Sequence, residues 1–169
     1  MLLQTERFTL RPLAEQDAAL FRSLYCDKEL MRHIGPVLSE HDAIAAFNTT
    51  LKTMYRDAPY CFFWVIEQLE QALGVVGIAD IKAKQQAEIG IILLRRAHRK
   101  RVADEVVPRV IRYCSEQLEL KQLVGTFDSQ NLAALRLNKR MGFSNFRAIE
   151  GKAQQLQGYL PLNLFKECQ

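Results

Sequence analysis

Residues 95–101 read Arg-Arg-Ala-His-Arg-Lys-Arg, and this run carries the whole positive balance of the chain. Without its five cations the 23 Lys and Arg residues fall to 18, one fewer than the 19 acidic ones. The run follows Ile89, Gly90, Ile91, Ile92, Leu93 and Leu94, an apolar strand pattern, and precedes a helical pattern that opens at Val102 and Ala103. A basic loop feeding a helix N-terminus gathers cationic side chains, unpaired backbone N–H groups and the positive end of the helix dipole. That is chemistry for holding several phosphates at once, and a phosphorylated ligand is the leading expectation. Two other readings use the same residues: a grip on a nucleic-acid backbone, or a solvated loop with no ligand. No RNA-binding aromatic signature or helix-turn-helix pattern accompanies the run, which weakens the nucleic-acid reading.

Other reactive side chains form no cluster. Cys26, Cys61, Cys114 and Cys168 lie far apart without a C-x-x-C pair, and His33, His41 and His98 are equally scattered. This spacing predicts no metal site and no disulfide frame, but reduced thiols in a cytoplasmic protein. The 169 residues fit a single domain over 1–169, and 49% hydrophobic with 25% charged residues excludes disorder. The apolar runs are too short to span a bilayer, and the first residues lack a secretory pattern, so no membrane partner is expected.

The elements that must position the basic loop follow from periodicity. Phe8 and Leu10 alternate with Arg7, Thr9 and Arg11 in a strand closed by Pro12. A helix is predicted over 15–26. A second helix begins at Ser39, which with Asp42 resembles a capping box, and continues through Ile44, Phe47, Leu51 and Met54. Strands over 61–67 and 73–82 form a hairpin through 68–71, and the run over 88–94 is apolar enough to be central. Val102, Val106, Val110, Cys114 and Leu118 recur at helical spacing, with Pro108 inside. A strand over 121–127 leads to a short helix that offers Asn131 as N-cap and stops at Gly142. Strands over 143–149 and 157–165 close the chain. The expected class is α+β: a mixed, mostly antiparallel central sheet of about seven strands flanked by about four helices.

Three segments resemble the GNAT superfamily of N-acyltransferases. Residues 87–94, the basic loop, and Ala103, Asp104 and Glu105 resemble its acyl-CoA-binding strand, loop and helix. Asn131, Ala134, Lys139, Gly142 and Phe143 resemble its second motif. The opening Thr5-Glu6-Arg7-Phe8-Thr9-Leu10-Arg11-Pro12-Leu13 is similar to a branch that includes N-terminal acetyltransferases of ribosomal proteins. The resemblance implies an N-acetyltransferase that moves acetyl from acetyl-CoA to a primary amine by direct attack. The acceptor would be a protein N-terminus, an amino acid or a small amine.

The resemblance also assigns roles. Glu88 would act as base on the amine, directly or through water. Backbone groups of Ile92, Leu93 and Leu94 would face the pantetheine arm. His98, Arg99, Lys100, Arg101, Val102 and Ala103 would hold the pyrophosphate, while Asn131 and Asn138 would line the cofactor side. The loop departs from the family pattern. His98 stands where Arg or Gln is usual, Arg101 where Gly is usual, and Arg99 where many members carry a further Gly; Ala103 conforms. Arginine lacks glycine's freedom at positive φ, yet its guanidinium can grip phosphate bidentately. Relatives place an acidic Tyr at the position of Asn138 or a Ser at that of Ala134, so no general acid is evident, with Tyr159 a weak substitute. A non-catalytic binding module with a degenerate CoA loop and a nucleic-acid or ribosome-associated binder are the competing readings.

Overall fold

Alternating side chains put two apolar faces on the strands of this chain, and each face is covered by helices. The computed structural model describes residues 1–82 and 85–162. In chain order the elements are β1 (Leu3–Gln4), β2 (Thr9–Pro12), a 3₁₀ turn (Glu15–Asp17), α1 (Ala18–Tyr25), α2 (Lys28–Met31) and α3 (Glu40–Met54). Then come β3 (Phe62–Gln68), β4 (Gln71–Lys82), β5 (Gln86–Leu93), a 3₁₀ turn (Arg95–Ala97) and α4 (Val102–Glu116). The chain continues through β6 (Gln122–Asp128), α5 (Leu132–Arg140), β7 (Ser144–Ile149) and β8 (Lys152–Pro161). One eight-stranded sheet has the order β1-β2-β3-β4-β5-β6-β8-β7. Its pairs are antiparallel except β5 with β6.

The expected class holds, with one more strand and one more helix than the sequence signals. The additions are the shortest pieces, β1 with two residues and α2 with four. Asp27 creates α2 by capping it, accepting from the N–H groups of Glu29 and Leu30 at 2.8 and 3.1 Å. The last strand starts earlier than 157, at Lys152, and the part expected over 163–165 lies outside the described residues. Cys168 lies outside them too. Ser39 caps α3 by accepting from Asp42 N–H at 3.1 Å, and Gly142 ends α5 at φ +90°.

Period-2 alternation sorts the core. Trp64, Ile66, Val76, Ile78 and Ile89 pack against Val102, Val106, Val110 and Tyr113 of α4 on one face. On the other, Val65, Val75 and Ile92 meet Phe21 and Leu24 of α1, Met31 of α2 and Phe47 of α3. Strand β2 is pinned at its end by a buried carboxylate. Asp17 accepts two 2.7 Å hydrogen bonds from Arg11 and one of 2.9 Å from Ala14 N–H. Asp17, with help from Glu67, raises the Arg11 guanidinium above its ordinary pKa. Asp17 is only 4% exposed and depends on these donors in place of water.

Removing one partner leaves the other charge poorly solvated. Asp17→Ala is expected to lower unfolding free energy by about 3 kcal/mol, read from urea denaturation. A loss under ~1 kcal/mol would show that Arg11 finds equivalent solvation without it.

Candidate active site

Strands β5 and β6 are registered at only three positions, Gln86 with Gln122, Ala87 with Leu123, and Glu88 with Val124. Beyond that point they part, because each stays bound to its other neighbour. Strand β5 continues along β4 as far as Leu93 opposite Gly74, while β6 continues along β8 as far as Asp128 opposite Gln155. The split sheet opens a cavity of about 600 Å³, and a second of about 620 Å³ adjoins it towards the basic loop.

The parting exposes one edge of β5. Leu94 N–H donates to the Leu73 carbonyl at 2.8 Å, so its amide serves the sheet. The alternation of an antiparallel ladder turns the Ile92 amide the same way and those of Ile91 and Leu93 towards the gap. Of the three backbone positions expected at the pantetheine arm, only Leu93 therefore offers its N–H, joined by Ile91. Glu88, Gly90 and Ile92 share one face of β5 and line the first cavity. A Cβ added at Gly90 would meet nothing within 4 Å, so the face beside Glu88 is open. Gly90 lies opposite Gly77, over which the Phe63 ring packs.

The basic run divides between building the loop and lining the cavity. Arg95 donates to Asp27 at 3.2 Å, and Arg96 donates to the Ala72 carbonyl. The N–H groups of Leu30 and then Arg95 hold the Asp27 carboxyl below its usual pKa. Lys100 and Leu94 line neither cavity; the Lys100 carbonyl accepts from Arg7 at 3.3 Å. Val102 is buried in the core and also borders the second cavity. His98, Arg99, Arg101 and Ala103 do line the second cavity. Because a carbonyl can only accept, His98 Nε2–H donates to Leu93 oxygen, at 3.0 Å.

Arg99 and Arg101 adopt φ +61° and +58°, the left-handed turns that glycine would favour at these positions. Arginine holds a backbone conformation here that favours glycine. Arg101 occupies the N-cap of α4 and supplies no side-chain acceptor, so the first N–H groups of this helix have no cap. Beside them Glu105 accepts from Thr5 Oγ1, Arg7 N–H and Arg7 Nε at 2.6, 2.8 and 2.6 Å. Burial opposes its ionisation, but these donors win and hold the carboxyl below its ordinary pKa.

The opposite wall comes from α5. Asn131 caps it, its Oδ1 accepting from Ala134 N–H at 3.0 Å. Asn138 donates to the Ala134 carbonyl at 3.0 Å, and its Oδ1 lies where a Cβ on Gly125 would stand, 2.2 Å from it. Asn131 borders both cavities and Asn138 the first. Tyr159 lines neither, and its hydroxyl donates to Gln157 at 3.1 Å. Sequence reasoning missed Arg136 and Arg140, which line the second cavity one helical turn apart. The i, i+4 spacing was visible; the direction of that helix face was not. It also missed His33 and Asp128, which face each other across the cleft mouth with Nδ1 and Oδ1 3.9 Å apart. No local pattern links them.

An open strand edge, two left-handed turns, an uncapped helix start and four arginines fit a nucleotide phosphate chain joined to a slender acyl arm. Residues 7–144 match the acetyltransferase (GNAT) domain family. The chain belongs to the GNAT acetyltransferases. Uncharacterized N-acetyltransferase YoaA of Bacillus subtilis (strain 168) is 28% identical over 147 residues, covering 84% of this chain and 82% of its own. Spermidine N-acetyltransferase from Vibrio cholerae, solved with CoA and spermine, superposes at TM-score 0.80 with 20% identity, covering 95% and 99% of the two chains. An acetyl transferase from Salmonella typhimurium that modifies an N-terminal serine of a 50S ribosomal subunit protein gives TM-score 0.80. Its identity is 13%, over 95% and 99% of the two chains. Among the described residues of this GNAT domain no metal-binding cluster occurs, and no helix is long and apolar enough to cross a membrane.

A left-handed turn penalises any Cβ by about 1–2 kcal/mol relative to glycine. Arg101→Gly and Arg101→Ala both delete the guanidinium, so their difference isolates the backbone. The glycine variant is expected to be the more stable by about 1 kcal/mol, read from urea midpoints at equal m. Coincident midpoints would mean that the loop does not hold this turn in solution.

Proposed function

We propose that this protein is an N-acetyltransferase that moves the acetyl group of acetyl-CoA to a primary amine by direct attack. The observation that carries this reading is the continuity of the two cavities, from the uncapped start of α4 to the open face beside Glu88. Arg99, Arg101, Arg136 and the α4 amides would hold the phosphates, with Ala103 allowing close approach. Arg140 braces that wall, donating through Nε and Nη2 to Asp104 Oδ1 at 2.8 Å. Leu93 and Ile91 amides would face the pantetheine arm and the thioester carbonyl, as oxyanion donors. Asn131 and Asn138 would add polar contacts on the α5 side.

Glu88 would take the proton that an ammonium must lose before it attacks. An acyl-enzyme route lacks support. Cys26, Cys61 and Cys114 line neither cavity, and burial pushes the Cys61 thiol up to about 11 and that of Cys114 up to about 12. The buried free thiols suit the reducing cytoplasm. The acceptor would enter beside Tyr25, Phe63 and Phe127, an apolar entrance that suits a primary amine with a modest side chain. Two of the five cations of the basic run are tied into the fold, which favours a compact phosphate ligand over a nucleic-acid backbone.

CoA at 100 times its dissociation constant should stabilise the fold by about 2.7 kcal/mol, seen as a raised melting midpoint. An unmoved midpoint at millimolar CoA favours the non-catalytic module instead. In Glu88→Gln, kcat should fall by about 10²-fold or more while CoA affinity stays unchanged. Equal turnover removes Glu88 from the mechanism.

A further inference from the structure

The two cavities meet along a seam of seven residues that border both: His33, Ile34, Ile91, Ile92, Asn131, Ala134 and Leu137. Sulfur and acetyl carbon part at such a junction, because the acyl arm arrives through one cavity and the amine through the other. Breaking the C–S bond leaves a thiolate, which a nearby acid stabilises by protonation. His33 is the one ionisable side chain on the seam, and a histidine can hold a transferable proton near neutral pH. Asn131 donates a hydrogen bond but no proton, and its oxygen is engaged as the α5 cap. Tyr25 borders only the first cavity, and burial raises its pKa.

We propose that His33, backed by Asp128 across the cleft mouth, is the acid that protonates the departing thiolate. The assignment rests on the acetyltransfer reading above. Asp128 faces Nδ1 of the ring at 3.9 Å, which leaves Nε2 for a ligand. The carboxylate is itself held, since Oδ1 accepts from Gln130 N–H at 2.7 Å and the Asp128 carbonyl from Asn131 N–H at 2.8 Å. His33 sits in the turn that closes α2, where Ile34 and Gly35 N–H groups both return to the Met31 carbonyl. Both side chains are about one-third exposed or less, at 35% and 26%, so substrate can shorten their separation by excluding water. Other charges around the seam are Glu88 and Lys152 in the first cavity, with Glu29, Asp104 and the arginines in the second.

The proton and bond balance closes. Glu88 takes one proton from the ammonium and passes it to solvent. The nitrogen forms its bond to the acetyl carbon as the C–S bond breaks and sulfur keeps the electron pair. His33 Nε2 gives its proton to that sulfur, and the second proton shed by the nitrogen restores His33. The products are the N-acetyl amine, free CoA thiol and one proton.

Two readouts test the acid. The solvent deuterium isotope effect on acetyl transfer at saturating substrates should be smaller in His33→Gln than in the wild type, since the variant has no side-chain proton to move to sulfur. Turnover of acetyl-CoA with a panel of primary amines, followed as thiol release, should fall about 10²-fold in His33→Gln with CoA affinity unchanged. Asp128→Asn keeps an oxygen for Gln130 N–H and should show a smaller fall of both effects. The same isotope effect in wild type and His33→Gln overturns the proposal, as does wild-type turnover in a folded His33→Gln. A loss explained wholly by weaker CoA binding also overturns it. If the wild type binds CoA but acetylates no amine, the acetyltransfer reading falls and the acid falls with it; if only the variants match the wild type, that reading stands without His33.

Discussion

The structure depends on the parting of β5 and β6 after Glu88 and Val124. Buried backbone groups must find hydrogen-bond partners, and in a sheet each strand finds them on both sides. Here the two strands keep their outer partners and lose each other, so the inner edges of both open onto a cleft. A ligand or water must satisfy those edges. The side chains then keep the cleft open. Gly77 lies opposite Gly90 in one half of the split sheet, and Gly125 opposite Gly158 in the other. Phe63 rests on Gly77, Asn138 on Gly125 and Phe146 on Gly158, at positions where a Cβ would fall 2.2–2.4 Å from them. The glycines let aromatic and amide groups come close to the backbone on either side of the gap.

The basic run shows how a charge cluster divides its labour. A cation that must bind a ligand has to be fixed in place yet left with donors to spare. Arg95 and Arg96 give theirs to Asp27 and to the Ala72 carbonyl, and Arg7 gives one to the Lys100 carbonyl. These bonds hold the backbone in its two left-handed turns, so Arg99 and Arg101 can line the second cavity. Glycine would make the turns easier; bracing makes them possible without it.

What the sequence made legible is local. Strand alternation, the helical stripe of α4, and the caps at Ser39, Asn131 and Gly142 are decided within a few residues, and each is found in the fold. The family resemblance reached the right fold, in which Glu88, Asn131 and part of the basic loop border two adjoining cavities. What was hidden is either too short or too distant. Two residues of β1 and four of α2 carry no periodicity. The parting of two strands is written in neither of them, because it follows from their other neighbours. His33 and Asp128 come together only through the tertiary fold. The two amides of β5 that face the gap depend on ladder phase, which the Leu94 to Leu73 hydrogen bond fixes.

The short helix α2 connects the basic loop to the turn that carries His33. Four residues cannot sustain a helix alone, so its place is set by what holds its ends. Asp27 caps its start and also accepts from Arg95, the first cation of the basic run. Its end carries Met31 into the core and then turns to present His33 at the seam. The loop that lines the second cavity is therefore tied to the segment that carries the histidine between the cavities. The basic loop and the turn that carries His33 thus share one mechanical link, through a carboxylate that serves both as helix cap and as anchor for the arginine.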